Sequence, residues 1–188
     1  MINPSRFTAG VVQFDVQPGR VETNMATLLG YLESLAVKGA DLAVLPEMFS
    51  CSFDNDHLTR HAGKTKAVMA QLCRFARDKK MVIAGSLPVL GDQGIFNTMI
   101  FIDKDGTIKA RYAKLHLFGL TGEDRYYQAG EEIGLADSVL GPAGMMVCYD
   151  LRFPELARQL CLNGARMILI SAQWPKSREH HWQMLAVA

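Results

Sequence analysis

The chain has 188 residues, a size that fits one domain with its own hydrophobic core; 20 basic residues against 19 acidic leave a formal net charge of +1. That balance provides no electrostatic footprint for nucleic acid and no basic run for a membrane surface, and no apolar segment is long enough to span a bilayer. Cys51, Cys73, Cys148 and Cys161 are irregularly spaced with no C-x-x-C pair, which argues against a redox motif or a four-thiolate zinc site and suits a reducing cytoplasm.

Residues 7–14 read as a first strand, and 21–38 as a helix with Met25, Leu28, Leu29, Leu32, Leu35 and Ala36 on one face. The short apolar run 41–45, ended by Pro46-Glu47, is expected of a strand covered on both faces. An irregular stretch, 48–63, carries Cys51, His57 and His61. A helix over 65–79 gathers Val68, Leu72, Phe75 and Ala76, and 81–87 returns as strand, so two β-α-β crossovers are expected. Then 96–103 and 107–113 read as strands around the turn Asp103-Lys104-Asp105-Gly106, which makes the sheet mixed. Residues 114–132 are polar and contain glycine, and a connection of that length suits a functional loop. Short strands are expected near 138–140 and 144–148. A helix from 154 to 163, stopped by Gly164, leads to a strand over 167–171 and a final helix from 177. The sequence ends within that helical pattern, so a continuation past Ala188 is expected.

Three residues far apart in the chain make chemical sense together. Glu47, Lys114 and Cys148 each follow the end of a strand, and open α/β sheets gather their sites at the carboxyl ends of strands. The apolar run ending at Cys148, followed by a polar turn and Pro154-Glu155, puts a thiol at a strand-to-helix turn. Singly, a solvated acid, a surface lysine and a core thiol are the ordinary readings. Jointly the three supply a base, a cation for an oxyanion, and a nucleophile, the parts of acyl transfer through a thioester. His57 and His61 have i, i+4 spacing but no glutamate between them and no third ligand, so no zinc site is expected, and no glycine fingerprint calls for a nucleotide cofactor. His116 reads as support for the Lys114 loop.

Leu45-Pro46-Glu47-Met48-Phe49, Tyr112-Ala113-Lys114-Leu115-His116-Leu117-Phe118 and Cys148-Tyr149-Asp150-Leu151-Arg152-Phe153-Pro154-Glu155 resemble, in order and spacing, the three signature segments of the nitrilase superfamily of carbon–nitrogen hydrolases. The resemblance implies a single domain over 1–188 with an α-β-β-α sandwich of mixed sheets, C-terminally incomplete because relatives continue into further strands. It implies Glu47 as general base and acid, Lys114 stabilising the tetrahedral intermediate, Cys148 as nucleophile and the Tyr149 main-chain N–H as an oxyanion donor. The segment 122–130 resembles that of a second family glutamate, which makes Glu123 an orienting residue; a surface acid paired with Arg125 is the other reading.

The nucleophile segment with Ser171-Ala172-Gln173-Trp174-Pro175 and His181-Trp182 looks most like bacterial Nit2-like ω-amidases, which release ammonia from the side-chain amide of 2-oxo acids. True nitrilases of the superfamily tend to have tryptophan after the nucleophile, so by this resemblance Tyr149 implies an amide rather than a nitrile. Substrate contacts are expected from Arg152, Gln173, Trp174 and Arg178, with either arginine pairing a carboxylate or Arg152 tying down the nucleophile turn. The resemblance also implies a homodimer or higher homo-oligomer, with 155–163 and the last helix as interface elements, and no cofactor. An N-carbamoyl amino acid amidohydrolase, an acyltransferase or a non-catalytic scaffold of the same fold are the competing readings.

Overall fold

Hydrophobic pattern and layer position agree most simply at β2 (Leu42–Val44), which is buried along its whole length. In the computed structural model, which describes residues 6–187, this strand is covered on one side by helices and on the other by a second sheet. It pairs in parallel with β1 (Ala9–Val11) and β3 (Val82–Gly91), and the connections α1 (Val21–Val37) and α2 (Leu58–Lys79) form the two expected crossovers. The chain then turns back: β3 pairs antiparallel with β4 (Gly94–Ile102), and β4 with β5 (Ile108–Ala113). A second, three-stranded sheet has β6 (Gly134–Ala136) antiparallel to β7 (Ala143–Val147), and β7 parallel to β8 (Met167–Ser171). Both sheets complete by pairing in both senses, so the mixed character read from the hairpin segments is present.

Side-chain alternation divides the five-stranded sheet between two cores. Ala43, Ile83, Ile100 and Ile102 face Met25, Leu28 and Leu32 of α1 and Val68, Leu72 and Ala76 of α2. Leu42, Val44, Val82, Ala84, Met99 and Phe101 face the other way and meet Met145, Val147 and Leu169 of the small sheet. On that sheet's outer face lies α3 (Pro154–Leu162), where Leu160 comes so close to Gly144 that a Cβ there would sit 3.1 Å from it. The order helix, sheet, sheet, helix follows, with α4 (Glu179–Val187) beyond β8. No described helix is long and apolar enough to cross a membrane.

Several boundaries differ from the sequence reading. The first strand is confined to Ala9–Val11, not 7–14. Helix α2 begins seven residues before 65, because Leu58, His61, Ala62 and Thr65 continue the buried stripe of Val68, Leu72 and Ala76 toward the N-terminus. Strand β3 runs through Pro88 to Gly91: the proline lies opposite Asn97, and its carbonyl accepts a hydrogen bond from the Thr65 hydroxyl. The short strand expected at 138–140 is instead at Gly134–Ala136. Ser138 forms a turn, its hydroxyl donating to Gly141 O at 2.9 Å and accepting from Leu140 N at 3.1 Å.

Candidate active site

The strand directions bring four chain segments to one end of the two sheets. β2, β5, β7 and β8 deliver, just beyond their carboxyl ends, Glu47, Lys114, Cys148 and Gln173. Buried Ser171 joins the sheets there: Ser86 N donates to its hydroxyl at 3.1 Å, and the hydroxyl donates to Leu45 O at 2.9 Å. The segments bearing the acid and Gln173 are therefore fixed to one another before any charged contact is made.

Lys114 is almost fully buried, and its Nζ donates to Glu47 Oε1 at 2.9 Å and to Glu123 Oε2 at 2.8 Å and Oε1 at 3.0 Å. Burial alone would push the ammonium's pKa down, but the two carboxylates outweigh it and hold the pKa above the ordinary lysine value. Lys114 therefore stays cationic at neutral pH. Glu123 is 2% exposed and also accepts Phe118 N at 2.7 Å, so it is a buried partner of the lysine and not a surface acid paired with Arg125. Glu47 Oε2 accepts Gln173 N at 3.0 Å.

Cys148 opens a 3-10 turn, Cys148–Arg152, with φ of +48°, a left-handed backbone that side-chain-bearing residues rarely adopt. Asp150 stabilises that turn from within. Its Oδ2 accepts Val147 N at 2.9 Å and the Tyr112 hydroxyl at 2.7 Å, while Oδ1 accepts His116 N at 3.0 Å and meets His116 Nδ1 at 2.8 Å. The His116 ring also stacks on Phe153, centroids 3.6 Å apart. The loop after Lys114 and the turn holding the sulfur thus share one buried carboxylate. Burial pushes the Cys148 thiol well above the usual cysteine range, and the neighbouring Glu47 charge pushes it the same way, against the pull of Lys114. At rest the sulfur is protonated, with Gln173 O 3.7 Å from Sγ. Tyr149 occupies the first turn after the strand, where a helical ladder leaves amides unpaired.

A cavity of about 210 Å³ opens above the sulfur, and all nine residues singled out from the sequence line it: Glu47, Lys114, Glu123, Cys148, Tyr149, Arg152, Gln173, Trp174 and Arg178. They do not all present free groups to it. The Gln173 side chain is engaged, Nε2 donating to Glu47 O at 2.6 Å and Oε1 accepting from Ser52 Oγ at 3.1 Å, so it holds the acid's backbone. Trp174 donates from Nε1 to Arg178 O at 2.8 Å and packs beside Trp182. Arg152 lies over the rings of Tyr149 and Trp174, with one nitrogen 3.1 Å from His181 Nδ1, and Arg178 lies over Phe118. Among the described residues, neither arginine has a carboxylate within ion-pair distance.

Two contributors escaped the sequence reading. Asn97 donates from Nδ2 to both Glu47 Oε1 at 2.9 Å and Glu123 Oε1 at 3.1 Å; the signal was one carboxamide in a largely apolar strand. Asp150 lies within the nucleophile segment, where nothing in the sequence marks its carboxylate as a tie to the Lys114 loop. His57 and His61 both turn to Asp54, His61 Nε2 at 2.8 Å from its Oδ2. Among the described residues no cluster of three or more His, Cys, Asp or Glu side chains is placed to hold a metal ion.

Fold and site together define an enzyme of the nitrilase superfamily. The chain belongs to the carbon–nitrogen hydrolase family, whose model matches residues 8–188. It is 34% identical to a 2-oxoglutaramate amidase of Bacillus subtilis over 97% of this chain and 71% of the relative. A 2-oxoglutaramate amidase of Paenarthrobacter nicotinovorans is 37% identical over 79% of this chain and 55% of the relative. Among solved structures, Nit3 of Saccharomyces cerevisiae, described as a member of branch 10 of the nitrilase superfamily, superposes with a TM-score of 0.86 at 26% identity, over 95% of this chain and 69% of that one.

Proposed function

We propose that the chain hydrolyses the ω-amide of a small 2-oxo dicarboxylic acid to the carboxylate and ammonia through a thioester on Cys148. The observation that carries this reading is the meeting of a buried thiol, a buried carboxylate and a buried ammonium under a cavity whose walls hold two arginines that have no acidic partner among the described residues. The relatives named as 2-oxoglutaramate amidases support the substrate class, which offers the arginines a carboxylate.

The chemistry follows from the residues. Glu47 takes the thiol proton as Sγ bonds to the amide carbon, and the carbonyl oxygen becomes an oxyanion met by the Lys114 ammonium and the Tyr149 N–H. Collapse breaks the C–N bond, and Glu47 returns the proton to departing ammonia. Water then enters, loses a proton to Glu47 and attacks the thioester, and the carboxylate leaves as the proton goes back to sulfur. Glu123 keeps Lys114 aimed, while Arg152 and Arg178 take the substrate's carboxylate and Trp174 forms an apolar wall.

The rest of the reading is that 1–188 acts as one domain, in the cytoplasm, as a homo-oligomer. Four free cysteines suit a reducing compartment, and exposed Leu162, Met184 and Val187 on α3 and α4 offer apolar surface for a second copy. Ammonia release across 2-oxoglutaramate, glutamine, an N-carbamoyl amino acid and an aliphatic nitrile tests the substrate class. Turnover of 2-oxoglutaramate foremost is expected; turnover of the nitrile alone overturns the reading.

A further inference from the structure

We infer that Asn97 is a positioning residue that decides which oxygen of Glu47 receives the thiol proton, an inference that rests on Glu47 acting as the base. Asn97 is fully buried in β4, opposite the start of the Lys114 loop, and its carbonyl accepts Lys114 N at 2.9 Å. Both hydrogens of its carboxamide are used, one on Glu47 Oε1 and one on Glu123 Oε1. Its own Oδ1 is buried with no partner among the described residues. A buried amide ordinarily satisfies its oxygen as well. Here its donors set its orientation, since the flipped amide would turn an oxygen toward two carboxylates.

The consequence for Glu47 comes from counting lone pairs. Oε1 already accepts from both Lys114 Nζ and Asn97 Nδ2, whereas among the described residues Oε2 accepts only the Gln173 amide. A carboxylate oxygen offers two in-plane acceptor positions, so Oε1 is saturated and Oε2 retains one. Gln173 reaches both reacting partners, with its N–H on Oε2 and its carbonyl 3.7 Å from Cys148 Sγ. The free position on Oε2 therefore belongs to the side of the carboxylate that Gln173 shares with the sulfur. The proton passes from Sγ to Oε2, leaving a thiolate and a neutral acid whose second oxygen stays bound to Lys114 and Asn97. Asn97 also bridges Glu47 and Glu123, the same two side chains that share the Lys114 ammonium.

The groups that face this carboxylate are Lys114 after β5, Glu123 from its own short turn, Cys148 after β7 and the buried Tyr127 hydroxyl, which the charges of both glutamates influence. The test uses N97D, nearly isosteric but without donor hydrogens when ionised, and N97A. Three measurements are made on each: iodoacetamide alkylation of Cys148 against pH, followed by peptide mass; kcat/KM for 2-oxoglutaramate against pH; and thermal unfolding. Losing donors disfavours the charged carboxylate, so the acid limb of both profiles should move to higher pH by about one unit in N97A, and further in N97D, where a third acid adds like charge. The kcat should fall more than KM changes. A purely structural role lowers the amplitude and leaves the limb in place; that result, or two variants that no longer unfold cooperatively, overturns the inference. A parent protein that shows the alkylation limb yet hydrolyses no amide overturns the amidase reading instead, while the alkylation arm still judges Asn97.

Discussion

Replacing Asp150 by alanine should unfasten the sulfur's turn from the lysine's loop, and the size of the effect follows from what the carboxylate holds. Its partners are Val147 N at 2.9 Å, the Tyr112 hydroxyl at 2.7 Å, and His116 N and Nδ1 at 3.0 and 2.8 Å. The His116 side chain is 29% exposed, so its ring can turn to water at little cost. The Val147 amide and Tyr112 hydroxyl are buried, and each stranded donor costs roughly 1–3 kcal/mol, so D150A should lose about 2–6 kcal/mol. For a chain of this length, a loss of about 4 kcal/mol corresponds to a fall in Tm of roughly 8–16 °C. The turn itself should relax, because the φ of +48° at Cys148 persists only while its surroundings enforce it. Thermal unfolding followed by circular dichroism, with ammonia release measured well below the new Tm, checks both effects. A variant that melts within about 2 °C of the parent and keeps its turnover would refute the claim that one carboxylate ties the two catalytic segments together.

Three further outcomes follow from the same contacts. K114M removes one oxyanion donor and should lower kcat by roughly 10²–10³-fold, and it leaves Glu47 and Glu123 facing each other, so one of them should take up a proton, read from the pH dependence of the residual rate. Burial pushes the Cys51 thiol up to about 11 from the ordinary 9.0, so the unfolded chain ionises first; Cys51 should contribute a loss of roughly 2 kcal/mol in stability as pH rises from 9 to 11, and little below 9, and urea unfolding of C51A should lack that part of the slope. R152M should raise KM for 2-oxoglutaramate by roughly 10–100-fold with little change in kcat, and raise KM for a neutral aliphatic amide far less, because the guanidinium, held over the Tyr149 and Trp174 rings, is the charge offered to the substrate's carboxylate.

Much of the architecture was legible because period and layer coincide. β2 is continuously apolar because it is buried on both faces, and α1 shows its core stripe in Met25, Leu28 and Leu32. The errors arose where a local signal opposed the long-range packing. Gly63 and two histidines hid the first turns of α2, although Leu58, Ala62 and Thr65 keep the helical spacing. The strand read over 81–87 continues to Gly91, and Pro88 sits within the β3–β4 ladder. At the site, Glu47, Lys114 and Cys148 were visible as reactive side chains following strand ends. Asn97 was not, because a carboxamide carries no reactivity of its own, and its importance depends on two acids 50 and 26 residues away. Gln173 was read as a substrate contact, yet its hydrogen bonds to Glu47 and Ser52 come from a loop meeting that only the folded chain displays.

The central claim is that a carbonyl carbon becomes bonded to one particular sulfur. Brief incubation with 2-oxoglutaramate, an acid quench and intact-mass measurement with peptide mapping test it directly. The account predicts an added mass equal to the substrate less ammonia, confined to the peptide containing Cys148 and absent from C148A, which should also release no ammonia. Ammonia release with Cys148 unmodified at every time point, or undiminished turnover in C148A, would contradict it.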